Sequence, residues 1–169
     1  DVLMSLFRKD PEVIVVPNLA DDKSVSMLCE QAVEDSVVIG TLRSKEAAEA
    51  LVRVLALKVP AEKFAPVAQA VLNVRLIRKL CEACRQPFAP NPELLKKLGI
   101  PAGKVQALYQ PPAPPEDPKQ ICKQCRGIGY QGRTAIFELL IVDDKIRQAL
   151  IKQPKMEVIR QIARAAGQR

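Results

Sequence analysis

Four cysteines occur as two pairs of equal spacing, Cys81-x-x-Cys84 and Cys122-x-x-Cys125. Together they offer four thiolates, the number that completes a tetrahedral shell around a zinc ion. A shell filled by protein sulfur leaves no open position for substrate, so the spacing predicts a structural zinc site. The linker between the pairs (85–121) is longer than in a compact zinc ribbon. We attribute the excess to an extended, proline-rich connector over 110–118 that loops out.

A redox dithiol is the alternative for either pair, and such a dithiol normally lies at a helix start in a thioredoxin-like βαβ unit. The fifth cysteine, Cys29, lies on the apolar face of a predicted helix and is expected to be a small core residue. An odd cysteine count without an export signal indicates a reducing compartment, where a C-x-x-C pair holds metal more often than it forms a disulfide. The chain is therefore expected to be cytoplasmic.

Two glycine-containing stretches match phosphate-binding loops in part. Gly127 to Gly132 has the form G-x-G-x-x-G, but it follows a cysteine pair and leads into a predicted strand, so no helix N-terminus is available for a pyrophosphate. Gly103-Lys104 is followed by valine and lacks the first glycine of a P-loop. The chain contains no Walker A sequence, and we predict no nucleotide-binding residues. The glycines after Cys125 are expected to let the backbone turn tightly around a metal.

Composition limits the chemistry further. Histidine is absent, which excludes imidazole catalysis, His-containing nucleophile systems and His-ligated metals. The formal net charge is +7, and it is uneven, because 1–74 hold 8 Lys and Arg against 11 Asp and Glu, whereas 75–169 hold 18 against 8. A basic half can contact nucleic acid, an acidic membrane surface or an acidic protein, or it can be a set of solvated helix faces. Six aromatic residues are too few for a base-stacking surface.

The hydrophobic pattern of the first half predicts an α/β fold. Two β-branched runs, 13–16 and 37–39, have the character of strands buried on both faces. Between them an amphipathic helix is expected, with Ser24 as its N-cap. The resulting βαβ unit predicts a parallel sheet with helices on both faces. Ser44 is expected to cap a further helix to about Leu57, and a long helix is predicted over 61–80.

The second half predicts a short helix over 92–98 and a strand from Arg133 to Ile141. Two helices follow, over 143–151 and 155–166, and Gly167 is the expected C-terminal stop. No apolar run approaches the length of a membrane-spanning helix. We expect three regions: an α/β part over 1–80, a tetracysteine subdomain over 81–130, and a C-terminal strand and helices over 131–169 that pack on the core.

In chain order, four stretches resemble the C-terminal half of the type II secretion and type IV pilus-assembly traffic ATPases, a hexameric RecA-like family. Arg8 to Val16 resembles the Walker B segment, and Val37 to Leu42 the strand of the His box. Arg75 to Cys81 resembles the run into the zinc subdomain, and Cys122 to Leu140 its signature. The resemblance implies a partial RecA-like (P-loop NTPase-type) parallel sheet with flanking helices, a four-cysteine zinc subdomain and C-terminal helices.

The chain departs from the family pattern where the family performs hydrolysis. Pro17-Asn18 stands in place of Gly-Glu, and a neutral amide cannot orient or deprotonate the attacking water as that glutamate would. Ala20 replaces the following arginine, although Asp21 is retained. The two His-box histidines fall at Ser36 and Arg43. We therefore assign no catalytic residues.

The resulting hypothesis is a non-catalytic pseudo-ATPase module that acts in the assembly or docking of a secretion or pilus machine at the cytoplasmic face of the inner membrane. Its expected cofactor is structural zinc, and ATP with Mg²⁺ is not expected to bind this chain. The expected partners are protein components of the machine and further copies of the chain; membrane association would be indirect, and nucleic acid is not expected.

Two alternatives stay open, namely an active hexameric motor whose P-loop lies upstream, and a basic zinc-ribbon nucleic-acid binder. Arg43, Arg53 and Arg75 are either contacts for an anionic ligand or surface and interface arginines.

Overall fold

The computed structural model describes residues 2–34, 36–101, 103–114 and 121–168. The chain forms two compact units. The first unit comprises 1–74 and 137–169, and the second unit comprises 75–136. Among the described residues, no helix combines the length and the hydropathy needed to cross a membrane.

A parallel strand pair opens the first unit after the short helix α1 (Val2–Phe7). Strands β1 (Val13–Val16) and β2 (Val37–Gly40) are connected by helix α2 (Asp22–Glu34). Val13 lies opposite Val37 in the ladder. The βαβ unit expected from the sequence is therefore confirmed, as a sheet of two strands.

The prediction that these strands are buried on both faces is wrong. Ile14 is buried, with 2% of its surface exposed, but Val13, Val15, Val37 and Ile39 are 50–63% exposed. Successive side chains of a strand point to opposite faces of the sheet. A continuous apolar run indicates that both faces need a covering layer, and within the described part of the first unit one face of this sheet has none.

The two serines expected to cap helices do not do so. Helix α2 begins earlier than expected, and the Asp21 carboxylate accepts a hydrogen bond from the Ser24 N–H at 2.7 Å. Helix α3 (Ala47–Ala56) begins after Glu46, not Ser44, and the Glu46 side chain makes no capping hydrogen bond. Because Asp21 and Ser24 are both good capping residues, the local sequence predicts that a helix begins here but does not determine which residue caps it.

The N-terminus of α3 is capped from a distant strand. The carboxylate of Glu138 accepts hydrogen bonds from the backbone N–H of Ala47 at 2.9 Å and from Asn73 Nδ2 at 3.2 Å. The Asn73 amide also donates to the carbonyl of Lys45 at 3.1 Å. A single carboxylate thus holds the start of α3 against the strands of the same unit.

Replacing this carboxylate tests the cap. Glu138→Ala is expected to lower the free energy of unfolding by about 1–2 kcal/mol, because the Ala47 N–H loses its acceptor. Glu138→Gln keeps one amide oxygen as an acceptor and is expected to cost less. Urea denaturation of both variants measures the difference. Equal losses would mean that the negative charge stabilises the unit and that the hydrogen bond does not.

The long helix predicted over 61–80 is wrong. Helix α4 (Ala61–Val67) ends one residue after Pro66, and strand β3 (Ala70–Leu80) follows. Strand β3 pairs with β6 (Tyr130–Ile141), which contains the strand predicted from Arg133 to Ile141. At one end the Val142 N–H donates to the Gln69 carbonyl at 2.8 Å, and at the other the Cys81 N–H donates to the Gly129 carbonyl at 3.0 Å. The two strands therefore run antiparallel.

The predicted C-terminal helices are confirmed as α6 (Asp144–Lys152) and α7 (Met156–Ala165). Asp143 caps α6 by accepting from the Ile146 N–H at 2.9 Å. Gly167 adopts a φ of 74° and ends α7, as expected. Both helices contribute to the larger core of the first unit, whose buried members are Ala47, Ala48, Leu51, Ala65, Leu140, Val142, Ile146, Leu150 and Ile159.

The second unit has little regular structure. Strands β4 (Gln86–Phe88) and β5 (Leu108–Gln110) pair antiparallel, and helix α5 (Pro92–Lys97) confirms the short helix predicted there. Asn91 caps α5 by accepting from the Leu94 N–H at 2.7 Å. Residues 115–118 of the predicted proline connector lie outside the described residues.

Candidate metal centre

The two cysteine pairs lie in turns at one end of the paired strands β3 and β6. Cys81 directly follows β3, and the Cys122–Cys125 turn precedes β6. The hydrogen bond from the Cys81 N–H to the Gly129 carbonyl joins the two turns. Neither pair lies at the start of a helix, the position typical of a thioredoxin-like redox dithiol.

The four sulfur atoms form a compact group. All four Sγ atoms lie within 4.8 Å of one another, with Cys81 and Cys122 at 3.9 Å and Cys84 and Cys125 at 3.6 Å. A tetrahedral metal with bonds of about 2.3 Å to sulfur places its ligands about 3.8 Å apart. A disulfide needs a separation of about 2.05 Å, and these cysteines are free thiols. The arrangement therefore fits a four-thiolate metal site.

The backbone of the turns supports negative charge on sulfur. Cys81 and Cys125 are buried, while Cys84 and Cys122 are partly buried. The Gly129 N–H donates to Cys125 Sγ at 3.3 Å. Donation to a sulfur atom stabilises its thiolate form, which is the form that binds metal.

The thiols of the group differ in acidity. Burial opposes ionisation of Cys125, but N–H donation from Gly129 and hydrogen bonds from Cys84 and Cys122 outweigh it and lower the pKa of Cys125 to about 7. Burial and the neighbouring sulfurs raise the pKa of Cys84 to about 12. In the metal-free chain the thiol of Cys125 thus ionises more readily than that of Cys84. A metal must displace the remaining protons, so its affinity rises with pH.

Gly129 is constrained twice. Its φ is 76°, and a Cβ added there would lie 2.9 Å from Cβ of Pro111. Gly132 has a similar φ of 73°, but a Cβ there would meet nothing within 4 Å.

The two glycines provide a matched pair of variants. Gly132→Ala is expected to cost about 1–2 kcal/mol of stability, because an L-residue in the left-handed region is strained. Gly129→Ala is expected to cost more, because it adds the overlap with Pro111 beside the metal-binding turn. Thermal melting of the metal-loaded variants compares them. A smaller loss at Gly129 than at Gly132 would contradict the close contact.

The residues at the positions that the sequence resemblance assigns to hydrolysis are exposed or engaged in structural hydrogen bonds. Pro17, Asn18 and Ala20 are exposed where β1 ends. The carboxylate of Asp21 caps α2, and the hydrogen bonds from Ser24 lower its pKa. The Ser36 hydroxyl donates to the Pro11 carbonyl at 2.6 Å.

Of the three arginines considered for an anion, Arg53 and Arg43 are in contact, through the backbone carbonyl of Arg43 and not through its side chain. Arg53 pairs with Glu49 at 3.2 Å within α3, and its guanidinium donates to the carbonyl of Arg43. The Arg43 side chain is exposed, and Arg75 is an exposed residue of β3 in the second unit. The sequence drew attention to these arginines but not to the capping role of Glu138. That role joins Glu138 to Ala47, which is 91 residues away in the chain, so no local pattern indicates it.

The chain thus combines a short parallel strand pair, small antiparallel strand pairs and a group of four cysteines. We compared it with families of known proteins. The model of the family described as Type II/IV secretion system protein matches residues 1–169. The chain belongs to this family. The resemblance to this family that the sequence indicated is thereby confirmed.

Individual secretion and pilus proteins are also similar to the chain in sequence or in fold. The chain is 35% identical over 167 residues to the type IV pilus assembly ATPase PilB of Thermus thermophilus, covering 98% of this chain and 18% of that protein. It is 32% identical over 148 residues to the type II secretion system protein E of Dickeya dadantii, covering 88% and 28%. Among solved structures, the pilus retraction motor PilT with bound ADP has a TM-score of 0.58 at 19% identity, covering 97% and 35%, which is a likeness of fold.

The chain therefore spans between about a fifth and a third of these proteins.

Proposed function

We propose that this chain is a non-catalytic module of a secretion or pilus-assembly ATPase-like protein, and that it acts in the assembly or docking of the machine from the cytoplasmic side. The observation that carries the proposal is the exposed amide of Asn18 at the position that the sequence resemblance gives to a catalytic glutamate. Asn18 stands where a glutamate would activate water, and its side chain is exposed at the end of β1.

The neighbouring positions support the same proposal. The carboxylate of Asp21, the acidic residue retained from the motif, is a helix cap. Ser36 replaces a histidine of the family pattern, and its hydroxyl bonds to a backbone carbonyl. Asp21 and Ser36 are therefore both engaged in local hydrogen bonds, which argues against a role for either as a general base.

The metal in this proposal is zinc, bound by Cys81, Cys84, Cys122 and Cys125. A four-thiolate site is closed to substrate, so the ion holds the two turns together and takes no part in a reaction. This role suits the second unit, since its described elements besides parts of β3 and β6 are one six-residue helix and two three-residue strands.

Nucleotide binding and hydrolysis test the proposal. Isothermal titration of the zinc-loaded chain with ATP and Mg²⁺ is expected to give no heat of binding, and a phosphate-release assay is expected to give no turnover. Asn18→Glu restores the carboxylate and serves as the matched variant; it is also expected to be inactive, because no P-loop holds the phosphates. Phosphate release by the unmodified chain would overturn the proposal.

A second function is favoured by the relatives, two of which are named as ATPase or as a motor with bound ADP. In this alternative the chain contributes to an active ring, with the phosphate-binding loop supplied by other sequence. It predicts ATP turnover once such sequence is fused or added. The first proposal predicts none in that assay, because Asn18 still lacks the basicity of a carboxylate.

A further inference from the structure

The net positive charge of the chain comes from one of its two units. Residues 75–136 hold 11 Lys and Arg against 4 Asp and Glu, whereas 1–74 and 137–169 together hold 15 of each. The second unit therefore carries the whole formal net charge of +7, and the first unit is neutral.

The two units also differ in how their charges are paired. The ion pairs Arg53–Glu49, Lys63–Glu30, Arg147–Asp144 and Arg160–Glu46 all lie in the first unit. Among the described residues of the second unit, nine basic side chains have no acidic partner. They are Arg78, Lys79, Arg85, Lys96, Lys97, Lys104, Lys123, Arg126 and Arg133. Their charges are left available to an anion from outside the unit.

Five of these cations are close to the cysteines in sequence, and we call them the basic collar: Arg78, Lys79, Arg85, Lys123 and Arg126. All five are exposed. Each is one to three residues from a cysteine in sequence, and consecutive Cα atoms are about 3.8 Å apart, so each Cα lies within about 15 Å of the sulfurs. The metal-binding turns thus gather cations from both cysteine pairs onto one small region.

Two members of the collar are held in place by aromatic rings. Arg78 lies over the ring of Tyr130 at 4.0 Å, and Arg85 lies over that of Tyr109 at 4.4 Å. A stacked guanidinium keeps its planar edge free for two-point hydrogen bonding to a carboxylate. Stacking also reduces the conformational entropy that these side chains lose when they bind.

Exposed apolar groups lie in the same turns. Ile121 precedes Cys122 and is 41% exposed, while Ile128 follows Cys125 and is 65% exposed. Methyl Cγ2 of Ile121 lies 3.5 Å from the position a Cβ would take on Gly127, so this side chain packs against the glycine turn. Arginine, aromatic and apolar groups together are typical of the core of a protein interface.

We propose that the second unit docks an acidic segment of a partner protein, whose carboxylates bind the basic collar while its apolar side chains contact Ile121 and Ile128. The inference rests on the docking role proposed above and adds the chemistry of the partner. A nucleic acid is disfavoured because the arginines already cover the rings of Tyr109 and Tyr130, which would otherwise stack on bases. A lipid surface is disfavoured because α5, with six residues, is the only helix in the described part of this unit and is too short to lie as an interfacial helix.

A direct binding measurement tests the proposal on the zinc-loaded chain. The probe is a fluorescein-labelled peptide of alternating glutamate and leucine, and its control replaces each glutamate by glutamine. Fluorescence anisotropy is expected to show binding of the glutamate peptide alone, weakening as salt screens the charges. No nucleotide is present, so ATP turnover bears on the proposed function and not on this result.

Matched variants locate the binding surface. Lys79→Gln with Lys123→Gln removes two collar charges and is expected to weaken peptide binding about three- to tenfold. Lys152→Gln with Lys155→Gln removes two exposed charges from the first unit and is expected to leave it unchanged. Arg126→Asn suits the φ of 55° at that position and is expected to weaken binding as a third, independent change.

Four outcomes would overturn the proposal. The first is an equal loss in the two double variants, and the second is equal binding of the glutamine peptide. The third is loss of zinc from the Lys79→Gln, Lys123→Gln chain, which would make the collar a support for the thiolates. The fourth is binding only to single-stranded DNA, or only to vesicles containing phosphatidylglycerol, with no binding of the acidic peptide.

Discussion

Removing the metal from the purified chain is expected to unfold the second unit while the first unit stays folded. Structural zinc contributes about 10–16 kcal/mol of apparent binding free energy at neutral pH in zinc-finger peptides, and a whole domain is typically stable by about 5–15 kcal/mol. The second unit has few buried apolar residues apart from its cysteines, and Leu95 is one of them. Without the metal it lacks the burial that would offset the entropy of ordering its chain.

Hydrogen exchange followed by mass spectrometry measures this effect residue by residue. Addition of a zinc chelator is expected to abolish protection within 75–136 and to leave protection in α6 and α7. Cys81→Ser is expected to have the same effect without a chelator, and to lower bound zinc below one ion per chain. Cys29→Ala is the matched control, since Cys29 is a buried cysteine of the first unit. Unchanged protection after complete metal removal would contradict the structural role.

Truncating the core of the first unit is expected to have the next largest effect. Leu150 lies on α6 with 0% of its surface exposed, and it packs in the cluster that contains Ile146 and Ile159. Leu150→Ala is expected to lower the free energy of unfolding by about 2–5 kcal/mol, because it removes apolar contacts and leaves a cavity.

The adjacent residue on the same helix provides the control. Ile151 is 44% exposed, and Ile151→Ala changes the helix by a similar amount of side chain. It is expected to cost less, because nearly half of the Ile151 surface is already in water, whereas Leu150 is fully buried. Guanidinium denaturation gives both values. Similar losses at the two positions would mean that α6 does not bury the face assigned to it.

The chemistry of the sulfur site could be predicted from the sequence more fully than the fold around it. A four-thiolate site depends on ligand type and short spacing, both of which are local. Strand pairing then brings Cys81 and Cys122 together to 3.9 Å. The helix starts at Asn91 and Asp143 and the helix end at Gly167 are local in the same sense, since each side chain or φ acts within one turn.

The errors arise where distant parts of the chain decide the structure. Residues 70–80 have an apolar content that suits a helix or a strand, and pairing with β6 selects the strand. The start of α3 is set by Glu138, which no local window contains. Val15 and Ile39 have strand character that indicates two covering layers, and one of these layers is not supplied by the described residues.

The chain leaves the first unit along β3 and re-enters it along β6. Because these two strands are hydrogen-bonded neighbours, Val74 and Phe137 form the neck of an insertion whose entry and exit lie side by side. A tight hairpin turn between the two strands would therefore be enough to replace the insertion, and the residues of the first unit would not need to move. Among the described residues, the insertion contributes no side chain to the larger hydrophobic core of the first unit, so that core does not depend on the sequence between the two strands.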